Sequence, residues 1–132
     1  MNTRDAIAAR RSIRRFNANP IPEEALQAIL TAGTQAPSGK NRQPWRFIVV
    51  QEDKRAEMVR VMREGIAKLK AEGMDIGSAE WTAAVMEEAP VTVFVYNPDG
   101  THPWLARSDE QEWTDVVNIQ SIGAAIQNML LS

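Results

Sequence analysis

Hydrophobic positions along this chain follow two patterns, stretches spaced for helices and two short continuous runs of strand length. Thr3 can cap a short helix reaching about Arg10, with Asp5 in the first turn set favourably against the helix macrodipole and Ile7 and Ala8 as its buried positions. The segment Arg10-Arg11-Ser12-Ile13-Arg14-Arg15-Phe16 fits no helical period, and Asn17 to Pro22 reads as a turn-rich connection. Pro22 at a first helical position, followed by Glu23 and Glu24, opens a second helix with Leu26, Ile29 and Leu30 as its apolar stripe and Gly33 as its stop.

Phe47 to Val50 is the first apolar run, short enough for a strand buried on both faces. From Asp53 to about Glu72 the period is helical, with Met58, Val59, Met62, Ile66 and Leu69 on one side. Its charged partners Arg55, Glu57, Arg60, Arg63, Glu64, Lys68 and Lys70 read as a solvated face. Ser78 begins another helix, ended by Pro90, and Val91 to Tyr96 is the second strand. Asn97 to Arg107 is a loop by composition and the best candidate for a mobile lid. The last segment, Asp109 to Ser132, opens acidic and becomes a strongly apolar helix, with Val116, Ile119, Ile122, Gly123, Ile126, Met129 and Leu130 as the predicted buried stripe. It runs to Leu131-Ser132 with no capping glycine or polar tail, and two strands make a small sheet, so the chain reads as unfinished. This order of elements indicates α+β or α/β, helices layered on a small sheet within one domain, residues 1–132.

One stretch stands apart from these periods. Ala36 to Val50 joins the second helix to the first strand through a loop with Pro37, Ser38, Gly39, Asn41 and Pro44. Backbone amides in a Ser-Gly-Lys-Asn segment can turn toward a ligand, and the carboxamides of Asn41 and Gln43 suit the edge of a planar heterocycle. Trp45 and Phe47 tie the loop to the core beneath. Taken alone, the loop is equally a structural connection with two prolines.

Composition narrows the chemistry. There is no cysteine, hence no disulfide framework, thiolate metal site or cysteine nucleophile. The single histidine, His102, sits among Gly100, Thr101 and Pro103 and reads as a solvated loop side chain, which argues against zinc chemistry and histidine-based triads. No metal ligands and no catalytic side chain are predicted. The start of the chain lacks the long apolar core of a signal peptide, and no run approaches membrane-spanning length, so a cytoplasmic location is the default expectation. Net charge is only −2, but residues 1–46 concentrate Arg4, Arg10, Arg11, Arg14, Arg15, Lys40, Arg42 and Arg46 against Asp5, Glu23 and Glu24. A basic first third on an acidic protein favours a small anionic ligand over nucleic acid. Arg10, Arg11 and Arg14 place three guanidiniums beside the Ser12 hydroxyl, and such forks match phosphate oxygens bidentately. Taken alone, an Arg-Arg pair of this kind is better accounted for as a solvated basic turn, since charge runs are usually exposed faces. A basic arm for nucleic acid lacks interleaved aromatics, apart from Phe16.

Together these segments resemble the nitroreductase family of flavin enzymes. The resemblance is carried by Ala6-Ile-x-x-Arg-Arg-Ser-Ile-Arg-x-Phe16, by Pro20-Ile-Pro-Glu-Glu-x-Leu26, and by Ala36-Pro-Ser-Gly-x-Asn-x-Gln-Pro-Trp-Arg-Phe47. The late Gly123-Ala-Ala-Ile-Gln-Asn-Met-Leu-Leu131 helix looks like the family's dimer-core helix. Each motif is weak by itself; the ordered set is specific. The resemblance implies a three-layer α-β-α fold and a homodimer. It implies that Arg10, Arg11, Ser12 and Arg14 contact the phosphate, ribityl and pyrimidine parts of FMN. It further implies that Pro37, Ser38, Gly39 and Asn41 approach the flavin from the partner subunit. The implied activity is hydride transfer from NAD(P)H through FMN to a small-molecule electron acceptor such as a nitroaromatic or a quinone, with most of the chemistry supplied by the cofactor. Full family members continue past the apolar helix, so the resemblance implies a chain truncated at its dimer-core helix. A flavin-binding or assembly module without turnover, completed by a partner chain, is the alternative.

Overall fold

In the computed structural model the described residues are 2–101 and 105–132. They form five helices and two strands: α1 (Thr3–Ala9), α2 (Glu23–Thr34), β1 (Arg46–Gln51), α3 (Lys54–Ala71), α4 (Ala79–Glu88), β2 (Val91–Tyr96) and α5 (Asp109–Leu131). Helices with one small sheet make the fold α+β, as expected, and β1 pairs with β2 as a two-stranded sheet. The chain divides into two compact units. The first takes residues up to Arg11, Pro22–Ile48 and Phe94–Ser132; the second takes Ser12–Ile21 and Val49–Val93. Each strand passes from one unit into the other.

Helix ends follow local chemistry, with shifts of a residue or two from the sequence reading. Asn2, not Thr3, caps α1: its Oδ1 accepts the Asp5 amide at 3.0 Å. No residue of α1 is buried, and Ile7 is exposed where burial was expected, because a seven-residue helix here has no apolar partner face. Pro22 sits just outside α2, its carbonyl accepting the amides of Ala25 and Leu26 at 3.0 and 3.1 Å. Gly33 does not stop α2. It lies buried inside the helix, where a Cβ would meet Met129 Cγ at 3.0 Å and Phe47 Cζ at 3.1 Å. Its role is close packing of α2 on α5.

The core of the first unit is the cluster of Ala36, Trp45 and Ala125, with Phe47, Val95, Ile122 and Ala124 packed around it. Helix α5 departs most from expectation. Its buried residues are Asp115, Asn118, Ser121 and Ala125, while Val116, Ile119, Ile126 and Leu130, predicted to be inside, are exposed. Ile119 is 63 % exposed and Leu130 56 %. The polar inner face has partners: Asn128 Nδ2 donates to the Ala32 carbonyl at 3.1 Å, Ser121 Oγ to the Val117 carbonyl at 2.8 Å, and Arg107 pairs with Asp115 at 3.4 Å. These bonds offset the desolvation that otherwise keeps such groups outside. Asn118 Oδ1, buried on the same face, has no hydrogen-bond partner among the described residues. A helix with a largely hydrogen-bonded polar face and an apolar face can turn either one inward. Here it turns the polar one.

In the second unit α3 packs on α4, with Val59 and Ala83 buried between charged flanks. The Arg55 guanidinium donates to the Glu87 carbonyl at 2.7 Å at the end of α4, Arg63 pairs with Glu87, and Lys70 with Glu80 at 3.1 Å. The ion pairs are exposed and each stabilises little, about 0–1 kcal/mol. Strand β1 was expected to be buried on both faces, yet Ile48 is 50 % exposed and Arg46 is exposed, because a sheet of two strands leaves one face uncovered. Among the described residues no helix is long and apolar enough to cross a membrane.

Candidate functional site

The loop from Ala36 to Trp45 is anchored at both ends by burial, at Ala36 and at Pro44-Trp45. Between those anchors the backbone is tightly wound. A 3-10 turn spans Gly39–Asn41, and Lys40, Asn41 and Gln43 all have positive φ, at 53°, 53° and 49°. For a side chain with a Cβ, the left-handed region costs roughly 1–2 kcal/mol, less for asparagine, so Lys40 and Gln43 hold strain. The surroundings sustain it. The Asn41 amide donates to the Ser38 carbonyl at 3.0 Å, the Arg42 amide to the Gly39 carbonyl at 3.1 Å, and the Gln43 amide to Ser38 Oγ at 3.0 Å.

Of the two readings the loop left open, amides turned toward a ligand or a structural connection, these three amides follow the second and close the turn. The Gly39 amide is used too, donating to Ser121 Oγ on α5 at 3.3 Å. A Cβ on Gly39 would collide with Val117, so the glycine is required by the close approach of α5. What the loop leaves available is side chain: Pro37 and Asn41 are exposed, and the Asn41 carboxamide has no hydrogen-bond partner among the described residues. A hollow of about 170 Å³ lined by Gly39, Lys40, Arg42, Glu110, Trp113 and Val117 lies against this loop. The contribution of Val117 and Ser121 escaped the sequence reading; a serine inside an apolar helix was the available signal.

The other predicted contacts lie just after α1. Arg10 closes that helix, its amide donating to the Ala6 carbonyl at 3.1 Å, and belongs with Arg11 to the first unit; Ser12 and Arg14 belong to the second. Residues 11–20 are exposed and have no regular secondary structure. Arg11 Nη1 donates to the carbonyls of Ala8 and Arg10, both at 2.9 Å, and Arg14 Nη1 to the Ser12 carbonyl at 3.1 Å. Neither guanidinium has a carboxylate partner among the described residues. Backbone carbonyls hold these cations in place without neutralising them. No hydrogen bond joins Arg11 to Pro37, Ser38, Gly39 or Asn41.

A groove of about 540 Å³ in the second unit is lined by Arg55, Val59, Arg60, Arg63, Glu64 and Glu87. Its cations already have partners, Arg60 with Glu64 at 2.8 Å and Arg55 and Arg63 at Glu87, which agrees with the solvated face read from sequence. His102 and the middle of the proposed lid lie outside the described residues. Among those that are described, no cluster of three or more His, Asp or Glu could hold a metal ion.

Comparison with known proteins gives these segments a context. The profile of the Nitroreductase family matches residues 7–132. A Thermus thermophilus protein named NADH dehydrogenase is 36 % identical over 96 residues, taking in 73 % of this chain and 38 % of that protein. An iodotyrosine deiodinase of Thermotoga neapolitana is 30 % identical over 101 residues, taking in 70 % of this chain and 54 % of the deiodinase. The crystal structure of a Desulfovibrio desulfuricans protein, described as a nitroreductase in complex with FMN, superimposes with a TM-score of 0.68 at 31 % identity. That superposition covers 99 % of this chain and 62 % of the other. The chain thus spans less than two thirds of the length of each of these relatives. With its profile matched from Ile7 to the last residue and its fold shared, the chain belongs to the Nitroreductase family.

Proposed function

We propose that this chain is part of an FMN-dependent oxidoreductase that uses NAD(P)H as co-substrate and reduces a small-molecule acceptor. The observation that carries the reading is the pair of exposed guanidiniums, Arg11 and Arg14, oriented by backbone carbonyls and lacking carboxylate partners. Two such cations beside Arg10 and Ser12 have the donor set that a phosphate and the electron-rich edge of a flavin require, so the residues present fit FMN. On this reading Arg10, Arg11, Ser12 and Arg14 bind and orient the cofactor, and the cationic heads stabilise negative charge that collects on the ring during reduction. Pro37, Ser38, Gly39 and Asn41 present a rigid loop, with the Asn41 carboxamide available to a ring edge. FMN, when bound, supplies the hydride chemistry that links NAD(P)H to an acceptor such as a nitroaromatic or a quinone. The name of the Thermotoga relative adds halogenated aromatics to the acceptors worth trying. No nucleic acid or membrane partner enters this reading, and residues 1–132 act as one domain in the cytoplasm.

The outward face of α5 supports a homodimeric assembly. Trp113, Val116, Ile119, Ile126 and Leu130 expose an apolar stripe more than four turns long, with no side chain over Gly123. Contiguous apolar surface of this kind marks an interface. A second copy of the chain is its occupant, making a homodimer, consistent with the resemblance of this helix to the family's dimer-core helix.

The test is a spectrum and an assay on the full-length protein. Flavin absorbance at one FMN per chain, with NAD(P)H oxidation on adding menadione or a nitroaromatic, is the expected result. Bound flavin without turnover for any acceptor supports instead a non-catalytic flavin module. Protein that stays colourless with excess FMN overturns the cofactor assignment.

A further inference from the structure

Arg14 has a second contact that the family motif does not describe. Its guanidinium carbon lies 5.4 Å from the ring centroid of Trp81, within cation–π range. Both residues belong to the second unit. Trp81 is on the first turn of α4, a helix packed on α3 around the buried Ala83, with the exposed Lys70–Glu80 ion pair next to Trp81. Arg14, by contrast, stands on an exposed segment without regular secondary structure. An arginine side chain on such a segment samples many rotamers, and ordering it on binding an anion has an entropic cost. A ring face held on a helix removes part of that cost beforehand. A cation–π contact takes no hydrogen bond from the guanidinium, so it uses up none of the N–H donors. One of those donors already bonds to the Ser12 carbonyl. Trp81 is itself 54 % exposed, so packing of the core does not explain a tryptophan there.

We propose that Trp81 is a positioning residue for the anion-binding role of Arg14: its indole preorganises the guanidinium so that the planar donor edge faces FMN. The inference rests on the FMN reading above and goes beyond it, because it assigns a role to a residue of α4, far in sequence from every cofactor motif. Trp81 touches neither cofactor nor acceptor on this account. Its whole effect passes through Arg14.

The experiment is a double-mutant cycle on the full-length protein, read as the dissociation constant for FMN from flavin fluorescence. Trp81→Leu should weaken FMN binding about 2- to 5-fold, the range of an exposed cation–π contact, and Trp81→Tyr should restore most of the affinity. In an Arg14→Ala background, Trp81→Leu should have no further effect. That loss of effect separates positioning from a general structural role, since a damaged fold would weaken binding in both backgrounds. Equal FMN affinity in wild type and Trp81→Leu, or a full 2- to 5-fold loss persisting without Arg14, overturns the proposal while leaving the FMN reading intact. Wild-type protein that binds no FMN overturns both together.

Discussion

The two segments that carry the family's cofactor motifs are built in opposite ways. From Ala36 to Trp45 the chain is pinned at both ends by burial, wound through three left-handed residues and bonded to itself and to α5. From Arg11 to Pro20 it is exposed, irregular and held by guanidinium bonds to its own carbonyls and one aromatic ring. The loop is rigid because its strain is sustained by the core around it. In the arginine segment Arg11 and Arg14 have no carboxylate partner among the described residues. On the reading proposed above, a shaped wall and a set of available charges are properties a cofactor site needs, and the two stretches differ in which of them they have.

That contrast can be broken most forcefully at Trp45. Trp45→Ala should cost about 3–5 kcal/mol of unfolding free energy, since it empties the core cluster beneath the loop; urea denaturation measures it, and a loss under 1 kcal/mol would mean that burial does not anchor the loop. Next comes Gly39→Val, where the new side chain meets Val117 on α5. Overpacking of this kind should cost about 1–3 kcal/mol, and Val117→Ala in the same chain should recover most of it. Failure of that rescue would separate the glycine from the helix contact.

The arginine segment should answer in the other currency. Arg11→Ala should leave the unfolding free energy within about 0.5 kcal/mol of wild type while weakening FMN binding by about 1.5–3 kcal/mol, the worth of a charge-assisted hydrogen bond. Isothermal titration alongside the denaturation curve reads both. A change in stability with unchanged FMN affinity would reverse the assignment of the two segments. Ile119→Glu, on the outward face of α5, should shift the protein from dimer to monomer in analytical ultracentrifugation, and a variant that remains dimeric would place the interface elsewhere. The smallest effect belongs to Lys40→Gly, which relieves a left-handed residue and should stabilise by about 1 kcal/mol or less.

Much of this molecule was legible in the order of its residues. Both strands and all five helices fall within a few residues of where periodicity and punctuation put them, because apolar spacing and proline act locally. Pro90 ends α4 as expected and Pro22 precedes α2 within a residue of its expected place. The family, too, followed from motif order, which reports descent and does not depend on folding energetics.

Direction was another matter. Helix α5 was certain as a helix, and its inward face was read wrongly, because an apolar stripe says only that some surface will cover it. Asp115, Ser121 and Asn128 could turn inward once Arg107, the Gly39 amide and the Ala32 carbonyl stood opposite them, and those partners are up to 96 residues away in sequence; Asn118 is buried beside them with its Oδ1 unpartnered among the described residues. Gly33 became a packing position, not a stop, for the same reason: Met129 arrives from the far end of the chain. The ring of Trp81 under Arg14 is a contact of that kind as well. What the sequence determined by itself was the list of elements and the charge of the first third, set by neighbours within a few residues, and the kin of the chain, set by the order of its motifs. Which face each helix buries, and which side chains remain available to a cofactor, only the tertiary structure decided, because those depend on partners that are distant until the chain folds.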